Sequence, residues 1–225
     1  MIYDVVRTGS DGNFTVIGGD IGLDMGVPFK TVKPYLQKLR LVFCGHEHGD
    51  HFKASTIREV ARTRPTLRFC GGPWMVDHFI AAGVREANID VLEAGTALDY
   101  GDFQVEPVPL FHNVQNFGLK IYRDGEKALY IVDTGHLDGI EAKDFDLYLL
   151  EANHTQAEIE AAVAEAQAKG EFTYRTRAAE NHLSYEQAVD WLTQNMGPNS
   201  IWIPMHGHKG GIENDRSAED SDLSG

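Results

Sequence analysis

Three imidazoles and a carboxylate fall within one hexapeptide, His46-Glu47-His48-Gly49-Asp50-His51. Neutral imidazoles gain little from such crowding, whereas a divalent cation rewards it directly. Imidazole nitrogen and carboxylate oxygen suit Zn²⁺ first, with Mn²⁺ or Fe²⁺ as alternatives. His46 and His48 present two nitrogens on one side of an extended turn. Asp50 and His51 follow two residues on, point elsewhere and could serve a second ion. The competing reading is a polar loop that happens to be His-rich.

The same grammar recurs along the chain. Val108-Pro109-Leu110-Phe111 precedes His112, Leu129-Tyr130-Ile131-Val132 precedes Asp133, and Trp202-Ile203-Pro204-Met205 precedes His206. A buried strand that releases a His or Asp at its carboxyl end puts that group on the rim of a sheet. There, rigid elements can hold ligands in place and leave an opening for substrate. His112 alone could be ordinary strand-ending polarity, but together with the hexapeptide the three residues read as one site. His208, two residues past His206, competes with it as the last ligand; His206 is preferred because it follows the strand at once.

The elements that must position these groups are short. Phe14–Gly18 and Ile21–Asp24 read as paired strands, and Leu41–Cys44, Thr66–Cys70, Val105–Phe111, Gly118–Tyr122, Ala128–Val132, Phe145–Leu150 and Ile201–Met205 as further strands. Asp124-Gly125 signals a hairpin. Phe29, Val32, Leu36 and Leu39 stand at helical spacing with Pro34 disturbing the first turn. Ala54, Ile57, Val60 and Ala61 form a second stripe, and Trp74–Ala82 a helix closed by Gly83. Thr155–Lys169 reads as a helix with Ile159 and Val163 on one face. Ser184 and Gln187 form a capping box ahead of Ala188, Trp191 and Leu192. One domain over residues 1–211 is expected, followed by an acidic, disordered tail at 212–225.

With 225 residues and 42% hydrophobic content, the chain can bury one large core. Thirty-four acidic against 20 basic residues leave a net charge of −14. That balance argues against an electrostatic grip on an anionic membrane and weakens a nucleic-acid reading, although two bound cations would attract a phosphate locally. Cys44 and Cys70 sit in apolar runs and read as buried free thiols in a reducing cytoplasm, with a single disulfide left open. Neither a signal peptide nor a membrane-spanning run is visible, so a cytoplasmic protein with no membrane partner is expected. A homodimer is compatible with the sequence.

Asp24 in Leu23-Asp24-Met25-Gly26, the His46–His51 cluster, His112, Asp133 and His206 together resemble the metallo-β-lactamase superfamily, in order from Gly9 to Lys209. The resemblance implies an α/β fold, an αβ/βα four-layer sandwich of two mixed β-sheets flanked by helices, carrying a dinuclear site. By that pattern His46, His48 and His112 bind one ion, Asp50, His51 and His206 the other. Asp133 bridges them, and Asp24 holds the His cluster from behind. His48 stands where the flavodiiron branch resembles a Glu version, which favours the hydrolase type.

Two ions roughly 3.5–4 Å apart lower the pKa of a shared water and polarise an electrophile, so hydrolysis proceeds without a Ser or Cys nucleophile. Asp50 can both ligate and orient the attacking water. Glu151-Ala152-Asn153-His154 ends a strand, and Asn181-His182-Leu183-Ser184 precedes a helix, where His182 could meet an anionic oxygen. These features, with Gly9-Ser10-Asp11-Gly12-Asn13, resemble the nuclease-like branch of tRNA 3′-processing endoribonucleases and small bacterial exonucleases. There the matching His contacts the scissile phosphate. Asn113 departs from the Asp of those relatives. Arg175, Arg177, Ser184 and His154 are candidate substrate contacts. The reading is therefore a phosphodiesterase or nuclease. The alternative is a lactonase, thioesterase or β-lactamase-like hydrolase of small acyl esters, which the acidic surface favours.

Overall fold

Leu41 and Phe43 face one way and Val42 the other, and the same alternation of buried residues runs through most strands of this chain. Strands buried on both faces require a layer on each side, and that requirement sets the architecture. The structure, a computed structural model, describes residues 1–170 and 180–207. The expected tail at 212–225, Arg175, Arg177 and His208 lie outside the described residues.

One sheet carries β1 (Tyr3–Arg7), β2 (Phe14–Ile17), β3 (Ile21–Leu23), β4 (Leu41–Phe43), β5 (Arg68–Gly71) and β6 (Ile89–Val91), each beside the next. Its first three strands pair antiparallel and the rest parallel. The second sheet carries β7 (Leu98–Asp99), β8 (Phe103–Leu110), β9 (Asn116–Arg123), β10 (Glu126–Ile131), β11 (Leu147–Glu151) and β12 (Ile201–Met205), again in chain order. Here β7 to β10 are antiparallel and β10 to β12 parallel. The helices are α1 (Phe29–Val32), α2 (Ala54–Thr63), α3 (Val76–Ala81), α4 (Gln156–Lys169) and α5 (Tyr185–Asn195).

Three apolar clusters follow from the alternation. Val42 and Phe69 pack outward with Ile57, Val60 and Phe79 of α2 and α3. Leu41, Phe43, Val105, Ala128, Tyr130, Leu147 and Leu149 fill the space between the sheets. Leu129, Ile131, Tyr148 and Leu150 pack outward with Ala188 and Leu192 of α5. The result is the expected αβ/βα sandwich of two mixed sheets with helices outside. Cys44 lies in the first cluster and Cys70 in the second, on opposite faces of the sheet, and both are buried and free. No helix among the described residues is long and apolar enough to cross a membrane.

Local chemistry accounts for most boundaries. Asp124 and Gly125 both take positive φ, 52° and 81°, as a two-residue hairpin loop requires. Thr155 with Glu158, and Ser184 with Gln187, form reciprocal capping boxes on α4 and α5. The helix expected over Phe29–Leu39 ends at Val32, because Pro34 has no N–H to continue it. The chain proceeds in turns in which Tyr35 N–H donates to Val32 O and Lys38 N–H to Tyr35 O, yet Val32, Leu36 and Leu39 all remain buried. The helix expected over Trp74–Ala82 is split into a 3₁₀ turn at Pro73–Met75 and α3. Ile159 and Val163 of α4 are only half-buried, so that helix contributes no core residue.

Strand direction is what matters for the site. Because β8 is antiparallel to β9 and β9 to β10, strands β8, β10, β11 and β12 all point the same way. Their carboxyl ends deliver His112, Asp133, Glu151 and His206 to one edge, and parallel β3 and β4 of the other sheet deliver Asp24 and His46. Truncating Leu149, fully buried between the sheets, to Ala should destabilise the fold by about 2–5 kcal/mol, whereas Ile159→Ala on α4 should cost about 1 kcal/mol or less. Denaturant midpoints of the two variants check this contrast.

Candidate metal centre

At that edge the side chains gather into three overlapping groups: His46, His48, His112 and Asp133; Asp50, His51, Asp133 and His206; and Asp133, Glu151, His182 and His206. Within each group the ligand-capable atoms all lie within 4.8 Å of one another. Asp133 is common to all three. Its Oδ2 lies 2.9 Å from His51 Nε2 and 3.2 Å from His46 Nε2, while its Oδ1 lies 3.1 Å from His206 Nδ1 and 3.3 Å from His182 Nδ1. Asp50 Oδ2 stands 3.2 Å from His206 Nε2 and 3.3 Å from His51 Nε2.

A surrounding set of polar groups holds these side chains in place. His51 Nδ1 donates to Asp24 Oδ2 at 2.6 Å, and the Tyr130 hydroxyl donates to the same oxygen at 2.6 Å. With Nδ1 held as a donor, His51 Nε2 is the nitrogen that faces Asp133, 2.9 Å away, and the one that can meet a cation once it gives up its proton. His112 Nδ1 donates to the Asn181 carbonyl (3.1 Å), freeing Nε2, which lies 3.3 Å from His48 Nδ1. Asn13 Nδ2 donates to the Asp50 carbonyl (3.1 Å) and lies 3.1 Å from His51 Nε2. The His206 N–H donates to Thr8 Oγ1 (2.6 Å), and Asn116 Nδ2 donates to the Val132 and Asp133 carbonyls.

Backbone conformation completes the positioning. Asp24, Asp133 and His206 adopt positive φ, at 57°, 58° and 55°, a region that costs an L-residue about 1–2 kcal/mol. Each stands just past a strand, where the left-handed turn swings its side chain into the site. Gly26 lets the segment after Asp24 lie against the hexapeptide: a Cβ there would come within 1.8 Å of the Asp50 carbonyl oxygen.

The electrostatics divide the site in two. Burial lowers the pKa of His48, and lowers that of His112 to about 4. On the other side burial is outweighed by carboxylates. Asp133 and Asp24 raise His51 well above its ordinary value. Hydrogen bonds to Asp133 and Glu151 raise His182 to about 10, and Asp133 with Asp50 and Glu151 raises His206 to about 9. Burial likewise opposes ionisation of Asp133, Asp50 and Glu151, but the imidazoles hold all three below the usual carboxylate range. Protons thus supply the positive charge that these carboxylates demand. Among the described residues His46 Nδ1 is buried with no hydrogen-bond partner, and His46 Nε2 and Asp133 Oδ1 are buried with no partner beyond the imidazole–carboxylate contacts given above. Unpaired donor-set atoms beside buried carboxylates fit divalent cations.

The expected residues therefore fall in different places. His46, His48, Asp50, His51, His112, Asp133, His206 and His182 converge, and Asp24 stands behind His51. Ser184 is buried, with its hydroxyl oxygen accepting the Gln187 N–H at the start of α5. His154 is half-buried beside Asn153 and belongs to none of the three groups. Glu151 was missed, although it ends β11 as Asp133 follows β10, and so obeys the same strand-end rule. Asn13, Thr8, Asn116 and Tyr130 were also missed as positioning groups.

The profile of the beta-lactamase superfamily domain matches residues 20–206, a span that takes in β3 to β12 and the three ligand groups. The chain belongs to the metallo-β-lactamase superfamily. Superfamily membership and the clustered His and Asp ligand groups mark it as a metal-dependent hydrolase. Among solved structures of similar fold, the short form of human tRNase Z aligns with TM-score 0.66 and 15% identity over 92% of each chain. A diphosphatase of the PhnP family aligns with TM-score 0.62 and 12% identity, covering 91% of this chain and 85% of its own. The metallo-β-lactamase fold protein YhfI from Bacillus subtilis gives 0.59 and 17%, covering 68% and 72%. No curated protein matches the sequence significantly.

Asp24→Ala should weaken divalent-cation affinity by about 10–100-fold, as loss of a partner behind a ligating imidazole generally does. Competition of wild type and variant against a chromogenic chelator measures the ratio.

Proposed function

We propose that the chain is a phosphodiesterase acting on nucleic-acid or nucleotide phosphodiesters with two divalent cations, Zn²⁺ first, with Mn²⁺ or Fe²⁺ as alternatives. His46, His48 and His112 would hold one ion, Asp50, His51 and His206 the other, and Asp133 both. When bound, the pair supplies a lowered pKa for water and charge stabilisation at the phosphoryl oxygens.

The observation that carries the substrate class is His182. Its Nδ1 is 2.7 Å from Glu151 Oε1 and 3.3 Å from Asp133 Oδ1, so the ring is anchored and Nε2 is the nitrogen left for a substrate oxygen. Glu151 is itself fully buried, and its Oε2 accepts from the Thr134 and Leu183 backbone N–H groups, so the anchor is rigid. A protonated imidazole held this way can bind a phosphate oxygen and return a proton to the leaving oxygen. Asp50, less buried than the other carboxylates of the site, is placed to orient the attacking water. Two structural neighbours, a tRNase and a diphosphatase, are named for phosphate-containing substrates and support this reading. Two free thiols suit a reducing cytoplasm. The second reading, an acyl-ester hydrolase of the lactonase or thioesterase kind, draws on the net charge of −14, which disfavours polyanions.

Hydrolysis of bis-p-nitrophenyl phosphate, with none of a lactone or a cephalosporin, is expected; the reverse pattern overturns the substrate class. Asp50→Ala should abolish turnover. Because p-nitrophenolate departs without a proton and a nucleoside alkoxide does not, His182→Ala should cost about 10²–10⁴-fold in kcat on a dinucleotide and much less on the nitrophenyl ester. Equal losses on the two substrates would remove the proton-donor role.

A further inference from the structure

Two aromatic rings flank the site, and no role for them has been assigned. Phe111, between the end of β8 and His112, is 45% exposed. His136, three residues past Asp133, stacks on it with ring centroids 3.8 Å apart and planes inclined by 23°. The His136 side chain is itself 42% exposed. The rings stack on one another while both side chains keep a large share of their surface exposed.

The pair is rigidly seated on the segments that carry the proposed ligands. The Phe111 N–H donates to Thr134 Oγ1 (3.1 Å), the Gly135 N–H to the Phe111 carbonyl (2.8 Å), and the Thr134 hydroxyl to the His136 carbonyl (2.9 Å). Gly135 is packed so closely that a Cβ would come within 2.1 Å of the Glu180 carbonyl oxygen. A planar, pre-ordered aromatic surface loses little entropy when a second flat ring settles on it. Past His136 the surface opens into a groove of about 500 Å³ between the 136–143 segment and α5, lined in part by Leu137, Trp191 and Leu183, the neighbour of His182. Asp138, Glu141 and Asp190 line the same groove and outnumber Lys143 among its described side chains, a balance that turns away a further phosphate but not an uncharged ring.

We propose that the Phe111–His136 pair is a stacking platform for the nucleobase attached to the phosphate held at the metal centre. The assignment rests on the phosphodiesterase reading and narrows its substrate class to nucleotides over simple phosphate esters.

Calorimetric binding to Zn²⁺-loaded protein tests it independently of turnover, using adenosine 5′-monophosphate and ribose 5-phosphate, which differ only by the base. Wild type should bind the nucleotide about tenfold more tightly or better. Phe111→Leu should remove that preference while leaving ribose 5-phosphate within about twofold, and Phe111→Trp should restore it. A wild type that binds the two equally, or binds neither, overturns the platform, and so does a Phe111→Leu variant that loses both alike. Persistence of the base preference in a protein that hydrolyses no phosphodiester would instead sink the catalytic reading and leave the platform standing.

Discussion

A carboxylate buried at the meeting of two sheets is the constraint on which this structure depends. Asp133 is 2% exposed, and the groups within ion-pair distance of it are His46, His51, His182 and His206. Burying such a charge is costly unless it is neutralised. Glu151, fully buried beside it, doubles the demand. Imidazoles can meet that demand with protons or can give up the protons to a cation, so occupancy of the site and protonation of its rings are two sides of one equilibrium. Asp24 and Tyr130 bias that exchange by fixing which nitrogen of His51 carries hydrogen.

Sheet polarity explains how so many polar groups reach one edge without disturbing the core. The apolar alternation ends where each strand ends, and the next residue is free to be a ligand. Left-handed backbone at Asp24, Asp133 and His206 then turns these residues inward, a conformation maintained only because the surrounding packing and hydrogen bonds dictate it.

Much of this was readable from residue order. The hexapeptide, His112, Asp133 and His206 announce themselves because imidazoles are scarce and each of these groups follows an apolar run. Glu151 obeys the same rule and stands in a strand-ending segment that the sequence singles out, yet His154 rather than Glu151 is nominated from it, since one carboxylate among 34 acidic residues carries little information. Asn13 and Thr8 were illegible for another reason. An amide or hydroxyl near glycine reads as turn chemistry, and their partners lie 37 to 198 residues away. Strands β1, β6 and β7 escaped because β1 has no fully buried residue and the other two are only three and two residues long. Pro34 was seen, but its effect on a helix whose apolar spacing continued was underestimated.

The bond from His206 to Thr8 joins the residue after the first strand to the residue after the last across 198 residues. The His46, His48, His112 and Asp133 quartet draws its ligands from the ends of β4, β8 and β10, whereas the groups with His206 also need the last strand. The half of the centre that needs His206 closes only when β12 docks beside β11 and meets the amino-terminal loop. The two ligand groups therefore differ in the span of chain they must bring together, and the one with His206 carries the larger loop-closure cost.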